Sequence, residues 1–63
     1  MKVFTGQNAR SQANSYLHQE DRVFTHVFIE IHDNNSQYRI YAVVTEDMIN
    51  EVFKSDLKIT VLN

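Results

Sequence analysis

The residues best suited to acid–base chemistry are Glu30 and His32, which are separated by one position. In an extended strand, side chains two positions apart lie on the same face, so this carboxylate and imidazole would be neighbours. A Glu–His pair can transfer protons in an enzyme. However, Arg39 on the next predicted strand offers Glu30 a simpler ion-pair partner, and no nucleophile accompanies the pair. We therefore predict a protein that is not an enzyme.

Metal and cofactor sites are not predicted. The chain has three His and no Cys, whereas structural zinc sites need four ligands of these two types. His26 and His32 would lie about 20 Å apart along one strand, at ~3.3 Å per residue, which is too far to share an ion. His18 falls on the polar side of the first predicted helix, where a solvated side chain is expected.

The junction at residues 5–10, Thr-Gly-Gln-Asn-Ala-Arg, is a possible anion site. Free N–H groups at a helix start and a nearby Arg favour phosphate. The junction lacks the glycine spacing and the lysine of a phosphate-binding loop, and a single Gly commonly serves to turn a corner. We therefore predict a sharp strand-to-helix turn here, with anion binding as the less favoured interpretation.

The candidate interaction surface is the outer face of a predicted hairpin, where aromatic side chains alternate with ionisable ones. If both helices cover the opposite face, this face has no cover, and exposed apolar patches with polar rims mark interaction sites. The predicted protein-binding residues are Phe24, Phe28, Glu30, His32, Arg39 and Tyr41. Two other interpretations stay open: the rings stack nucleic-acid bases, or the face belongs to the core because the helices are placed differently.

These side chains are positioned by an antiparallel hairpin predicted over residues 23–45, with strands at 23–32 and 37–45. The connecting residues, Asp33-Asn34-Asn35-Ser36, favour a tight turn. A two-residue or a four-residue loop sets Glu30 opposite Arg39 and Phe28 opposite Tyr41. Cross-strand pairs of this kind contribute about 0.2–1 kcal/mol each.

Apolar spacing predicts four further elements. A short strand at 2–5 precedes a helix at 9–19, for which Asn8 is the expected N-cap, and Thr45 caps a second helix at 46–54. A last strand follows at 57–62. The order βαββαβ, with right-handed crossovers, predicts an α+β fold: a small two-layer sandwich of ferredoxin-like order with both helices on one face of the sheet. The alternative is a three-stranded sheet in which residues 1–5 form an irregular arm.

The size of the chain favours association with a partner. Its 63 residues make a single domain, and a domain of this size buries only about 60% of the surface that its unfolded chain exposes. Without Cys there are no disulfides to compensate. In ferredoxin-like order, strand 23–32 would lie at a sheet edge, where a long apolar strand pairs readily with another chain. We therefore expect a homo-oligomer, most simply a homodimer.

The charge and hydropathy of the chain limit its partners. The net charge of −2, with acids and bases interspersed, counts against a nucleic-acid binder, which usually has a basic excess. No apolar run approaches the ~20 residues of a membrane span. No signal sequence is recognised, and the absence of Cys fits a reducing compartment, so we expect a cytoplasmic protein.

The sequence thus predicts a small non-enzymatic protein-interaction module, of the inhibitor, adaptor or antitoxin-like kind. It would act through the outer face or the edge of its sheet and would associate with itself. The alternative is a nucleic-acid-binding regulator that uses the aromatic face or the polar first helix, through Arg10, Gln12 and Asn14.

Overall fold

The computed structural model describes residues 1–32 and 39–63 of the chain. In chain order the elements are β1 (Lys2–Phe4), α1 (Ala9–Leu17), a 3-10 segment (Gln19–Phe24), β2 (His26–His32), β3 (Arg39–Thr45), α2 (Glu46–Phe53) and β4 (Lys58–Val61). Two helices and a four-stranded antiparallel sheet therefore confirm the predicted α+β class. The predicted turn at residues 33–36, together with Gln37 and Tyr38, lies outside the described residues.

The strand order differs from the ferredoxin-like order at one strand. The sheet runs β1-β3-β2-β4, with every neighbouring pair antiparallel. In ferredoxin-like order β4 would pair with β1 and leave β2 at an edge. Here β4 pairs with β2 instead, so β2 is an inner strand and the edges are β1 and β4. The predicted edge at residues 23–32 is therefore wrong.

The position of β4 also moves one helix to the other side of the sheet. The connections from β1 to β2 and from β3 to β4 step across the sheet in the same direction, but they start from antiparallel strands. Right-handed crossovers then place the two helices on opposite faces. The predicted two-layer arrangement with both helices on one face is wrong, because the sheet lies between α1 and α2.

Each face of the sheet has its own apolar core, and we call these faces the α1 side and the α2 side. The buried cluster of the α1 side consists of Ala13, Leu17, Phe28 and Val43. That of the α2 side consists of Ile29, Ile31, Ala42 and Val44, and the partly buried Ile49 and Val52 of α2 pack against it. Because successive side chains of a strand point to opposite faces, β2 and β3 contribute one group of apolar side chains to the core under α1 and another to the core under α2.

The hairpin register is two residues away from the predicted one. Glu30 lies opposite Tyr41, and Phe28 lies opposite Val43. A shift of two keeps every side chain on its predicted face, because side-chain direction repeats every second residue. The last pair of the described register joins His32 to Arg39.

The connection between α1 and β2 is a 3-10 segment, so the strand begins at His26 and not at Val23 as predicted. Glu20 and Asp21 both have positive φ, at 53° and 59°, which turns the chain left-handed at two consecutive residues. Arg22 closes this turn, since its guanidinium donates to the Tyr16 carbonyl at 3.1 Å and lies 3.8 Å from the centre of the Tyr16 ring.

Both helix starts lie where they were predicted, but neither predicted cap forms. Asn8 and Thr45 occupy the N-cap positions without a capping side-chain hydrogen bond. Asn8 has φ −105° and ψ 15°, outside the extended conformation that aims an N-cap side chain at the free N–H groups. Among the described residues, no helix is long and apolar enough to cross a membrane.

Candidate functional site

The centre of the predicted interaction surface lies under α1. Phe28 is only 5% exposed and belongs to the same buried cluster as Ala13 and Leu17. Its ring centre lies 6.2 Å from that of Tyr41, in a tilted aromatic pair. The expectation that this face is uncovered is therefore wrong, and the third interpretation, that it belongs to the core, describes Phe28 and Val43. The cause is the opposite placement of the two helices.

Glu30, Tyr41 and Arg39 form a cluster at the edge of this core. The Tyr41 hydroxyl donates a hydrogen bond of 3.1 Å to Oε2 of Glu30. Nε of Arg39 lies 3.8 Å from Oε1 of the same carboxylate, whose side chain is 14% exposed. The predicted ion pair is present, although its partners are diagonal and not directly opposite. Since both oxygens of Glu30 have partners, the carboxylate positions Tyr41 and Arg39.

The three histidines lie apart from one another on this side of the molecule. His32 lies opposite Arg39 on one neighbouring strand and Lys58 on the other. His26 has its Nδ1 2.7 Å from Oγ1 of Thr25, and His18 donates from Nδ1 to the Asn14 carbonyl at 2.8 Å. Among the described residues, no three His, Asp or Glu side chains are placed to hold one metal ion.

Phe24 is separated from the other predicted interaction residues. It ends the 3-10 segment, is 80% exposed, and lies beyond the first residue of β2. Arg39 and His32 lie near the other end of that strand, about 20 Å away at ~3.3 Å per residue. The structure therefore divides the predicted surface into an exposed Phe24, a buried Phe28 and a charged cluster, and no single face presents all of them.

A cleft that the sequence did not predict as a whole lies beside this cluster. We call it the arginine cleft; its volume is about 710 Å³, and it is lined by Thr5, Gly6, Gln7, Arg10, Arg39, Ile40 and Tyr41. The last residue of β1, Phe4, lies opposite Tyr41, so the chain leaves the sheet before it reaches Ile40 and Arg39. The cleft opens in this gap, between the outer edge of β3 and the start of α1.

The strand-to-helix junction forms one wall of the arginine cleft, whereas its sequence indicated only a turn and a less favoured anion site. Gly6 has φ +100°, a conformation that suits Gly and turns the chain from β1 towards α1. Arg10, the second residue of α1, was predicted to favour anions at this junction. Arg10 and Arg39 line the same cleft because β1 pairs with β3. The signal in the sequence was the shortness of β1, since a strand of three residues cannot extend along β3 as far as Arg39.

The first helix presents a polar outer surface, as the alternative nucleic-acid interpretation requires. Arg10, Gln12 and Asn14 are all exposed, and Arg10 and Asn14 line a second cleft of about 660 Å³. The buried residues of α1, Ala9, Ala13 and Leu17, form a narrow stripe, so most of its circumference faces solvent. No acidic residue occurs between Met1 and Gln19.

Charge is distributed unequally between the two sides of the sheet. Five of the six Lys and Arg residues belong to the α1 side or its connections: Lys2, Arg10, Arg22, Arg39 and Lys58. The α2 side carries an acidic excess, since the exposed residues Glu46, Asp47, Glu51 and Asp56 are balanced by Lys54 alone. The near-neutral total of −2 therefore combines a basic side with an acidic side.

Large apolar side chains are exposed both in the connection between α1 and β2, at Val23 and Phe24, and on the α2 side. Among the described residues, the large apolar side chains exposed on the α2 side are Val3 and Ile40 near one edge of the sheet, Val61 at the other, Phe53 on α2 and Leu57 in the connection that follows α2. None of the residues of α2 is fully buried. The helix has only eight residues, so it covers the middle of this face and leaves the margins open.

No family of proteins, curated protein or solved structure matches this chain.

Proposed function

We propose that the protein is a small, non-enzymatic interaction module that binds another protein through its α2 side. The observation that carries the proposal is the unequal cover of the two faces: α1 encloses its core, whereas Val3, Ile40, Val61 and Phe53 stay exposed around α2. Apolar side chains grouped on one face mark interaction sites more often than single ones do. This proposal replaces the outer-face surface around Phe28, which α1 covers.

The charge of the α2 side limits the kind of partner. Four carboxylates and one Lys lie on α2 and the residues that follow it, so the rim of the apolar area is negative. Complementary potentials steer association and suppress wrong partners. The proposed partner therefore has an apolar contact patch with a rim of Lys and Arg. A module that binds such a patch would act as an inhibitor, an adaptor or an antitoxin-like protein.

The test compares Phe53→Asp with Phe24→Asp. Both variants replace an exposed Phe by a carboxylate, but Phe53 lies on the α2 side and Phe24 lies on the connection between α1 and β2. Immobilised wild-type protein is expected to retain a protein from an extract of its host, and Phe24→Asp is expected to retain the same protein. Phe53→Asp should lose it, while circular dichroism shows that both variants stay folded.

Two results would count against the α2 side. The first is a partner that Phe53→Asp retains as well as the wild type does. The second is a partner that only Phe24→Asp loses, which would place the interaction at the exposed Phe24 and the left-handed turn that precedes it.

A second candidate function is nucleic-acid binding through the α1 side, because most of the basic residues lie there and α1 carries no acid. Lys and Arg contacts to phosphate make such binding steeply salt-dependent. A gel-shift titration of Arg10→Gln against Lys54→Gln checks this, since both variants lose one positive charge. The candidate requires that only Arg10→Gln weakens the complex, and the absence of any retarded band at low salt eliminates it.

A further inference from the structure

We propose that the arginine cleft binds a small phosphorylated ligand with a planar ring, of the nucleoside monophosphate class. The cleft brings together Arg10 from α1 and Arg39 from β3, which are 29 positions apart in the sequence. Guanidinium groups bind phosphate oxygens through paired, charge-assisted hydrogen bonds. Two of them lining one concave site is an arrangement that favours an oxyanion.

Arg39 has a charged neighbour at the edge of the cleft, but this contact leaves part of its guanidinium open. Its Nε is the atom that approaches Glu30, at 3.8 Å, so the two terminal nitrogens of the guanidinium lie outside that contact. Glu30 is fixed in turn by the Tyr41 hydroxyl and by its half-buried position on the α1 side. The Arg39 side chain is 58% exposed, so its guanidinium is accessible to a ligand in the cleft.

The rest of the cleft indicates a ligand larger than a phosphate ion. A volume of about 710 Å³ lies within the range of small-molecule sites, about 300–1,000 Å³. Beside the arginines, the lining includes the aromatic Tyr41 and the apolar Ile40, while Thr5 and Gln7 add hydrogen-bonding groups. Aromatic rings and guanidinium planes both stack on planar rings. A phosphate joined to a heterocyclic base matches this combination.

The charge of the α2 side does not favour a phosphate ligand. The α2 side has an acidic excess, and its Lys54 lies between Glu51 and Asp56 in the sequence, three and two positions away. The proposed ligand and the proposed protein partner therefore use different faces, which meet at Ile40, because this side chain lines the cleft and is also exposed on the α2 side. The failure of one proposal leaves the other intact, since Phe53→Asp changes the α2 side without altering the arginine cleft.

The test is a titration of the ¹⁵N-labelled protein with adenosine 5′-monophosphate, followed by amide chemical shifts. Saturable shifts are expected at Gly6, Gln7 and Tyr41, which line the cleft. Arg10→Gln and Arg39→Gln are each expected to weaken binding about tenfold, the effect of losing a charge-assisted hydrogen bond. Lys54→Gln, with the same change of net charge, should bind as the wild type does.

Further arms of the experiment define the ligand class. Adenosine, which lacks the phosphate, should cause no saturable shift, and inorganic phosphate should bind more weakly than the nucleotide. The proposal is overturned if the nucleotide causes no saturable shift or if Lys54→Gln weakens binding as much as Arg10→Gln. It is also overturned if a single-stranded oligonucleotide binds where the mononucleotide does not, because the site would then be a nucleic-acid surface.

Discussion

At the scale of single residues, Phe24 and Phe28 were predicted to lie on one interaction surface, but they have different environments. Phe28 fills the core beneath α1, whereas Phe24 is 80% exposed. Phe28→Ala should lower the free energy of unfolding by about 3–5 kcal/mol, because it removes buried surface and leaves a cavity. Phe24→Ala should change it by no more than about 0.5 kcal/mol. Urea unfolding measures both variants.

The size of the chain makes the Phe28 result easy to recognise. At about 0.05–0.15 kcal/mol per residue, 63 residues give a total stability of about 3–9 kcal/mol. Phe28→Ala should therefore remove a large fraction of the total stability, and all of it if that total lies at the lower end of the range. If both variants unfolded at the urea concentration of the wild type, Phe28 would not lie in the core and the placement of α1 would be wrong.

A second prediction at this scale concerns the hydroxyl of Tyr41. Tyr41→Phe keeps the aromatic ring but removes the hydrogen bond to the half-buried carboxylate of Glu30. Hydrogen bonds to charged groups contribute about 1.5–3 kcal/mol, so a loss near the lower end of this range is expected, because water still reaches Glu30. Tyr16→Phe is the control, since its ring keeps the contact with the Arg22 guanidinium. An equal loss of stability in both variants would contradict the proposed support of Tyr41 by Glu30.

At the scale of elements, the connection between α1 and β2 shows a backbone conformation that the sequence does not require. Asp21 has φ 59°, a left-handed conformation that costs most residues about 1–2 kcal/mol and costs Gly little. Asp21→Gly should therefore leave stability unchanged or raise it by up to about 1 kcal/mol. Gln12→Gly, on the exposed surface of α1, should lower it by about 0.5–1 kcal/mol. Thermal unfolding of the two variants checks the opposite signs, and a clear loss in Asp21→Gly would refute the left-handed turn.

Much of the secondary structure could be predicted from the sequence. The alternation of apolar residues from Val27 to Ile31 and from Ile40 to Val44 was enough to predict two strands and to sort their side chains between two faces. That sorting survived a two-residue error in register, because side-chain direction repeats every second residue. The apolar stripes of both helices, and their start positions, also followed from local spacing.

The partner strand of β4 did not follow from local spacing. Pairing with β1 or with β2 uses the same alternation of Ile59 and Val61, so the pattern within β4 does not separate the two arrangements. The choice nevertheless decides on which face α2 lies and hence whether Phe28 is covered. The aromatic outer face contained the relevant signal, since Phe28 and Val43 are as apolar as the inner face and needed cover of their own. The arginine cleft was missed for the same kind of reason, because it joins residues that only the sheet brings together.

At the scale of the whole molecule, the two sides of the sheet differ both in charge and in cover. The α1 side is basic and has an enclosed core, whereas the α2 side is acidic and has apolar margins. A protein of this kind can present different surfaces to two different partners. The distribution also affects self-association, which the small size of the chain favours. Two copies that meet through their α2 sides would bring two acidic rims together.

This repulsion leads to a prediction about ionic strength. Charges are screened beyond about 30 Å at 0.01 M salt but beyond only about 3 Å at 1 M. If the apolar margins of the α2 side pair with a second copy, the dimer should therefore form at high salt and dissociate at low salt. Sedimentation of the wild type at both salt concentrations measures the mass. Phe53→Asp should stay monomeric at both, and Phe24→Asp should follow the wild type. A wild-type dimer that is stronger at low salt would instead join a basic α1 side to an acidic α2 side. A dimer that Phe53→Asp leaves intact would place self-association outside the α2 side.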